Sequence, residues 1–190
     1  MKRFYDLSAL PWTVEGYTPN VWLFERLYPS PFTNSRCIDV RPVSAQVPGS
    51  VQAALHDAGI LPDWEMGLRS RDCEWVENRH WVYRTCLPSE WFQPGFPPDC
   101  PTQFRLECLG LDYSGWVWVN GKEVGTFKGT HTPHVFDLTP FLDTSAPAVL
   151  EIIFDLPPRW LGQFGWSSRM LEWKTRFNYT WDWTPRLVQI

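Results

Sequence analysis

The sequence predicts an all-β fold, a jelly-roll β-sandwich with one short surface helix. Three observations carry this. From about His80 onward, apolar residues recur with period two. Asn120-Gly121 stands between two strand-like runs, a strong hairpin signal because a type I′ turn needs φ > 0 at both central residues. One short stretch, Ser50 to Gly59, has helical spacing, and the rest is broken by Pro- and Gly-rich turns.

Residues 1–46 read as an irregular, aromatic-rich segment wrapped on the body, with Pro11, Pro19, Pro29, Pro31 and Pro42. One or two short strands are expected in it, such as 21–25. Residues 47–190 read as the jelly-roll domain. Its helix starts at Ser50, which suits the N-cap, and Val51, Ala54, Leu55 and Ala58 form one apolar stripe. Gly59 suits the position after the last turn, where φ is often positive. In Trp81-Val82-Tyr83-Arg84-Thr85, residues Trp81, Tyr83 and Thr85 share a face. In Phe104-Arg105-Leu106-Glu107-Cys108 the charges point one way and the apolar residues the other, as in a half-buried antiparallel strand. Strands are expected over 80–86, 103–109, 115–119, 122–127, 134–138 and 148–154, with a last strand-like run over 186–190. Because the chain stops inside that run, the reading is of a larger protein cut at a domain boundary. A short protein with its last strand tucked in is the alternative.

The chain has 190 residues, which suits one domain with a real core. Hydrophobic residues make up 44% and charged residues 20%, so most of the chain is expected to fold. The net charge is −4 and the charges are scattered, so no basic stripe exists for nucleic acid. No apolar run approaches the roughly 20 residues that span a bilayer, so no membrane partner is expected. Met1-Lys2-Arg3-Phe4-Tyr5-Asp6 is not followed by the apolar region of a signal peptide, and the expected location is cytoplasmic. Cys37, Cys73, Cys86, Cys100 and Cys108 form no C-x-x-C pair and read as structural thiols. His56, His80, His131 and His134 are spread out and read as solvated loop residues. No metal or cofactor motif is present, nor a nucleophile elbow or phosphate loop. The 13 Trp hint at carbohydrate, since sugar C–H faces sit well on aromatic rings, although most are expected to pack.

Several stretches share an order. They are Val47-Pro48-Gly49-Ser50-Val51, then Glu74-Trp75-Val76-Glu77-Asn78-Arg79-His80-Trp81-Val82-Tyr83-Arg84, then Gly110-Leu111-Asp112-Tyr113-Ser114-Gly115-Trp116-Val117-Trp118-Val119-Asn120-Gly121. Phe136-Asp137-Leu138-Thr139 and Tyr179-Thr180-Trp181-Asp182-Trp183-Thr184-Pro185-Arg186 follow. Together they resemble the N-terminal domain of glycoside hydrolase family 2, and within it the β-mannosidase branch. The resemblance implies a galactose-binding-like jelly roll, followed in full-length relatives by immunoglobulin-like domains and a catalytic (β/α)8 barrel. The catalytic carboxylates belong to that barrel, so no catalytic residue is expected in this chain.

Trp181, Asp182 and Trp183 are the candidate substrate contacts. A ring offers a stacking face, and a carboxylate accepts hydrogen bonds from sugar hydroxyls. The resemblance implies that Trp181 and Asp182 reach into the barrel's pocket and help hold the non-reducing-end sugar of a β-glycoside. It also places the trio at a surface edge of the sandwich. On the residues alone, a structural role stays open, with both rings in the core and Asp182 pairing with Arg186 or capping a turn. Where β-mannosidases carry Asn-Glu upstream of Trp81, this chain has Arg69-Ser70, and Thr180 and Thr184 replace the glycines around their Trp-Asp-Trp. Three functions follow: a family 2 glycosidase domain whose partners are a sugar and the rest of the enzyme, a stand-alone carbohydrate-binding module, or a purely structural domain.

Overall fold

A computed structural model describes residues 2–19, 38–92, 102–157 and 187–190. Eight strands form two antiparallel sheets. They are β1 (Trp12–Tyr17), β2 (Ile38–Ala45), β3 (His80–Leu87), β4 (Arg105–Cys108), β5 (Ser114–Val119), β6 (Lys122–Lys128), β7 (His134–Asp137) and β8 (Ala148–Phe154). The larger sheet runs β2-β1-β3-β8-β5-β6, and β4 pairs with β7 in the smaller. All six strands expected from His80 onward are present, with ends within two residues of those expected. The run at the C-terminus is shorter than expected among the described residues. Gln189 makes isolated bridges to Ser50 and Asp112.

Among its described residues, the N-terminal segment holds two strands, as many as expected, but at other positions and as part of the main sheet. β1 and β2 fall in the stretch read as irregular, and they form two strands of the main sheet. β2 tolerates Pro42 because it is an edge strand, where a missing N–H breaks no ladder. β1 accepts Gly16 because a Cβ there would lie 2.8 Å from the Trp81 ring on β3. The strand expected at 21–25 lies outside the described residues.

Alternation puts Trp12 and Val14 of β1, Trp81, Tyr83 and Leu87 of β3, Leu150, Ile152 and Phe154 of β8, and Val117 and Val119 of β5 in one buried cluster. Leu106 and Cys108 of β4 and Phe136 of β7 join it from the smaller sheet, which closes the sandwich. The Trp81 indole donates to Val76 O at 2.7 Å, so the largest core side chain brings its polar atom to a partner.

The helix α1 (Val51–Asp57) is capped as expected: Ser50 Oγ accepts from Ala53 N at 3.1 Å. Gly59 follows with φ +71°. A seven-residue helix is marginal alone, and α1 is held by burying Val51, Ala54 and Leu55. Each fully buried aliphatic contributes about 1.5–3 kcal/mol. A 3-10 stretch at Arg69–Asn78, unforeseen in the sequence, buries Cys73 and Val76 beneath it. Asn120 (φ 51°) and Gly121 (φ 74°) make the left-handed turn that joins β5 to β6. Asn120 also accepts from Val149 N at 2.9 Å and donates to Phe141 O at 3.1 Å, which ties the hairpin to β8. Among the described residues no helix is long and apolar enough to cross a membrane.

Candidate functional site

Trp181, Asp182 and Trp183 lie outside the described residues. What is described is the landing of the chain immediately after them. Residues 187–190 are stitched between the entry to α1 and the start of β5. Val51 N donates to Val188 O at 2.9 Å, Gly49 and Ile190 exchange two bonds of 3.0 Å, and Asp112 N donates to Gln189 O at 3.1 Å. The buried Gln52 side chain accepts from Val188 N at 3.1 Å.

An open cleft of about 500 Å³ sits at this junction, lined by Pro48, Ser50, Asp112, Thr130, Gln189 and Ile190 among others. Asp112 is buried, and its Oδ1 accepts from Thr130 Oγ1 at 2.8 Å. The described lining therefore offers the Asp112 carboxylate, the Ser50 and Thr130 hydroxyls and the Gln189 amide. That set suits hydrogen bonding to polar ligands. It does not suit glycoside cleavage, which takes two carboxylates about 5–10 Å apart across the bond.

A second polar cluster lies on the other face of the large sheet. Glu15 of β1, Arg84 of β3 and Glu151 of β8 stand on neighbouring strands. Arg84 Nη2 is 2.8 Å from Oε1 of both glutamates, and Tyr17 donates to Glu15 Oε1 at 3.0 Å. Burial, and then the Glu15 charge, pushes the Tyr17 hydroxyl pKa up. Val82 and Ile153 are buried beside this cluster, with Tyr17, Trp116 and Trp118 packed on them. Period-two reading treats Glu15, Arg84 and Glu151 as the wet side of their strands. Cross-strand neighbours are what gather them, and those are not readable from one strand. A buried carboxylate costs several kcal/mol unless paired, which is why Glu15 needs Arg84. The two glutamates share one guanidinium across three neighbouring strands, so this is a scaffold feature.

His80 corrects the reading of solvated loop histidines. It begins β3 and is fully buried, its ring 6.5 Å from that of Trp116 and its Nδ1 3.5 Å from Asp155 Oδ1. It lies in phase with Val82, which puts it on the packed outer face. His134 begins β7, with its ring stacked near Phe136. Burial lowers the His80 pKa below the ordinary value, against an opposing pull from Asp155. The unfolded chain, with histidine near 6.5, then binds the proton first. Stability should fall as pH drops below about 6.5, because protons stabilise the unfolded state. Urea midpoints at pH 7.5 and 5.5 should differ more for the native chain than for His80→Gln. Equal differences would remove His80 as a source of the pH dependence.

Cys73 and Cys108 are buried free thiols and Cys86 is an exposed one. Burial pushes the Cys108 thiol up to about 12, so it packs and does not react. Among the described residues no group of three or more His, Cys, Asp or Glu is placed to hold a metal.

Comparison with known proteins places this architecture. Residues 30–190 match the family described as glycosyl hydrolase 2 galactose-binding domain-like. Among curated proteins, the chain is 29% identical to β-mannosidase B of Aspergillus terreus over 157 residues, 76% of this chain and 18% of that protein. It is 28% identical to β-mannosidase B of Emericella nidulans, over 75% of this chain and 18% of that one. Among solved structures, the β-D-mannosidase from Dictyoglomus thermophilum superposes with a TM-score of 0.66 at 22% identity, covering 94% of this chain and 20% of that one. The chain thus spans about a fifth of the length of these relatives. Sandwich, capped helix, Asn-Gly hairpin and the match over 30–190 agree, and the chain belongs to the glycosyl hydrolase 2 galactose-binding domain-like family.

Proposed function

We propose that this chain is the N-terminal carbohydrate-binding domain of a β-mannosidase-like glycoside hydrolase. In this reading it supports a catalytic barrel elsewhere in the polypeptide and contributes contacts to the non-reducing-end sugar of a β-glycoside. Trp181 and Trp183 supply apolar ring faces and Asp182 accepts from sugar hydroxyls. The observation that carries the reading is the family match across 30–190, which includes the trio, together with curated relatives named β-mannosidase B.

Division of labour makes this testable. The described cleft carries one carboxylate, so the 190-residue chain alone should not hydrolyse aryl β-mannosides above a buffer blank. The complete polypeptide should hydrolyse them. Hydrolysis by the 190-residue chain, abolished by a point substitution within it, would overturn the proposal.

A further inference from the structure

The loop that follows α1 carries three large apolar side chains on its outside. Ile60 is 45% exposed, Met66 61% and Leu68 70%. All three fall within nine residues, where a loop is ordinarily polar. The loop is anchored at both ends. Ile60 N and Leu61 N donate to Leu55 O, Arg69 N donates to Met66 O, and Arg71 N donates to Leu68 O. Leu61 is buried, and the Trp64 ring packs edge-on against His56 of α1 at 5.4 Å. Gly59 and Gly67 adopt positive φ, which lets the chain turn tightly twice. The apolar side chains are therefore presented on a loop held by turns, and the same stretch of chain carries the exposed Asp63, Glu65, Arg69 and Arg71.

We propose that this loop, through Ile60, Met66 and Leu68, is a docking surface for the catalytic portion of the same polypeptide. The proposal rests on the domain reading above. Two arguments select that occupant over a second copy of this chain. A stable dimer between free molecules buries roughly 800 Å² per partner, which three side chains do not supply. A tethered partner needs less, because the covalent link raises its effective concentration to the millimolar range. Exposed apolar residues interleaved with charges of both signs are also the composition of an interface between domains of one chain. The relatives supply the missing mass, since four-fifths of their length lies beyond the matched part.

Met66 gives a direct probe, because an exposed thioether is oxidised by hydrogen peroxide and a covered one is protected. Sulfoxide formation at Met66 is followed by peptide mass spectrometry in the 190-residue chain and in the complete polypeptide. Met66 should oxidise at nearly the rate of free methionine in the 190-residue chain, and at least about tenfold more slowly in the complete polypeptide. Equal rates in both would overturn the docking surface. Protection already present in the 190-residue chain, and rising with its concentration, would assign the patch to a second copy and overturn it too. Hydrolysis of β-mannosides by the complete polypeptide is scored on the same sample. An active enzyme with a reactive Met66 sinks the docking surface alone, and an inactive one sinks the domain reading.

Discussion

Gly115→Ala is expected to destabilise the chain by more than about 3 kcal/mol, the upper part of the range for overpacked sites. In a regular ladder a Cβ points away from the sheet plane. At Gly115 the Cβ direction lies toward the partner strand, and a methyl there would overlap Ile153 O and stand 2.8 Å from the Phe127 ring. The nearest atoms are Ile153 backbone, which cannot swing aside, and the Phe127 ring is itself buried in the core. Ile153 O belongs to β8, which pairs with both β3 and β5 at the centre of the large sheet. Relief of the clash must part β5 from β8, and with them the β5–β6 hairpin. The melting temperature should fall by about 6–12 °C, at roughly 2–4 °C per kcal/mol for a domain of this size. Gly110→Ala is the matched control, since its Cβ would meet only Thr130 O at 3.6 Å, an ordinary contact. Its effect should stay within about 0.5 kcal/mol. Similar losses for the two variants in urea unfolding would show that the β5–β8 approach is not what requires glycine.

The contrast between legible and hidden elements has a physical basis. Strands β3 to β8 are legible because one face meets the core and the other does not, so alternation survives in the sequence. The Asn120-Gly121 turn is legible because two adjacent positive φ angles leave few residues to choose from. β1 hides because its alternation is disguised. Its inward positions are Trp12, Val14 and a Gly16 that has given up its side chain to Trp81, while its outward Glu15 is buried by pairing. β2 hides behind Pro42, which argues against a central strand but not against an edge. His80 hides because a lone histidine at a strand start reads as solvated, and only the Trp116 ring on β5 and Asp155 after β8 reveal its burial.

The tryptophans divide along the same lines. Trp12 and Trp81 are core, Trp64, Trp75 and Trp91 are half-buried against it, and Trp116 and Trp118 pack on the outer face. Among the described residues, packing accounts for the enrichment, as the composition alone suggests. The cleft beside residues 187–190 was not foreseen. It depends on Gly49, Asp112 and Gln189 meeting in space from three distant stretches, and no local pattern encodes that. Asp112 and Gly49 did stand inside motifs that carry the family resemblance, which was the available signal. Trp181, Asp182 and Trp183 are legible as a candidate site through that resemblance and through the chemistry of a carboxylate between two rings.

Asp182→Ala in the complete polypeptide tests the central claim most directly. A hydrogen bond to a charged group is worth about 1.5–3 kcal/mol, and about 1.4 kcal/mol is tenfold in rate. Removing the carboxylate should therefore lower kcat/KM on β-mannosides at least about tenfold. The melting temperature should change little, because a carboxylate that contacts sugar contributes little to folding. Asp182→Asn should recover part of the activity, since the amide keeps one acceptor oxygen. Unchanged kcat/KM for Asp182→Ala would remove Asp182 from the sugar site. A melting temperature that collapses together with activity would make the Trp181-Asp182-Trp183 segment a scaffold and contradict the account.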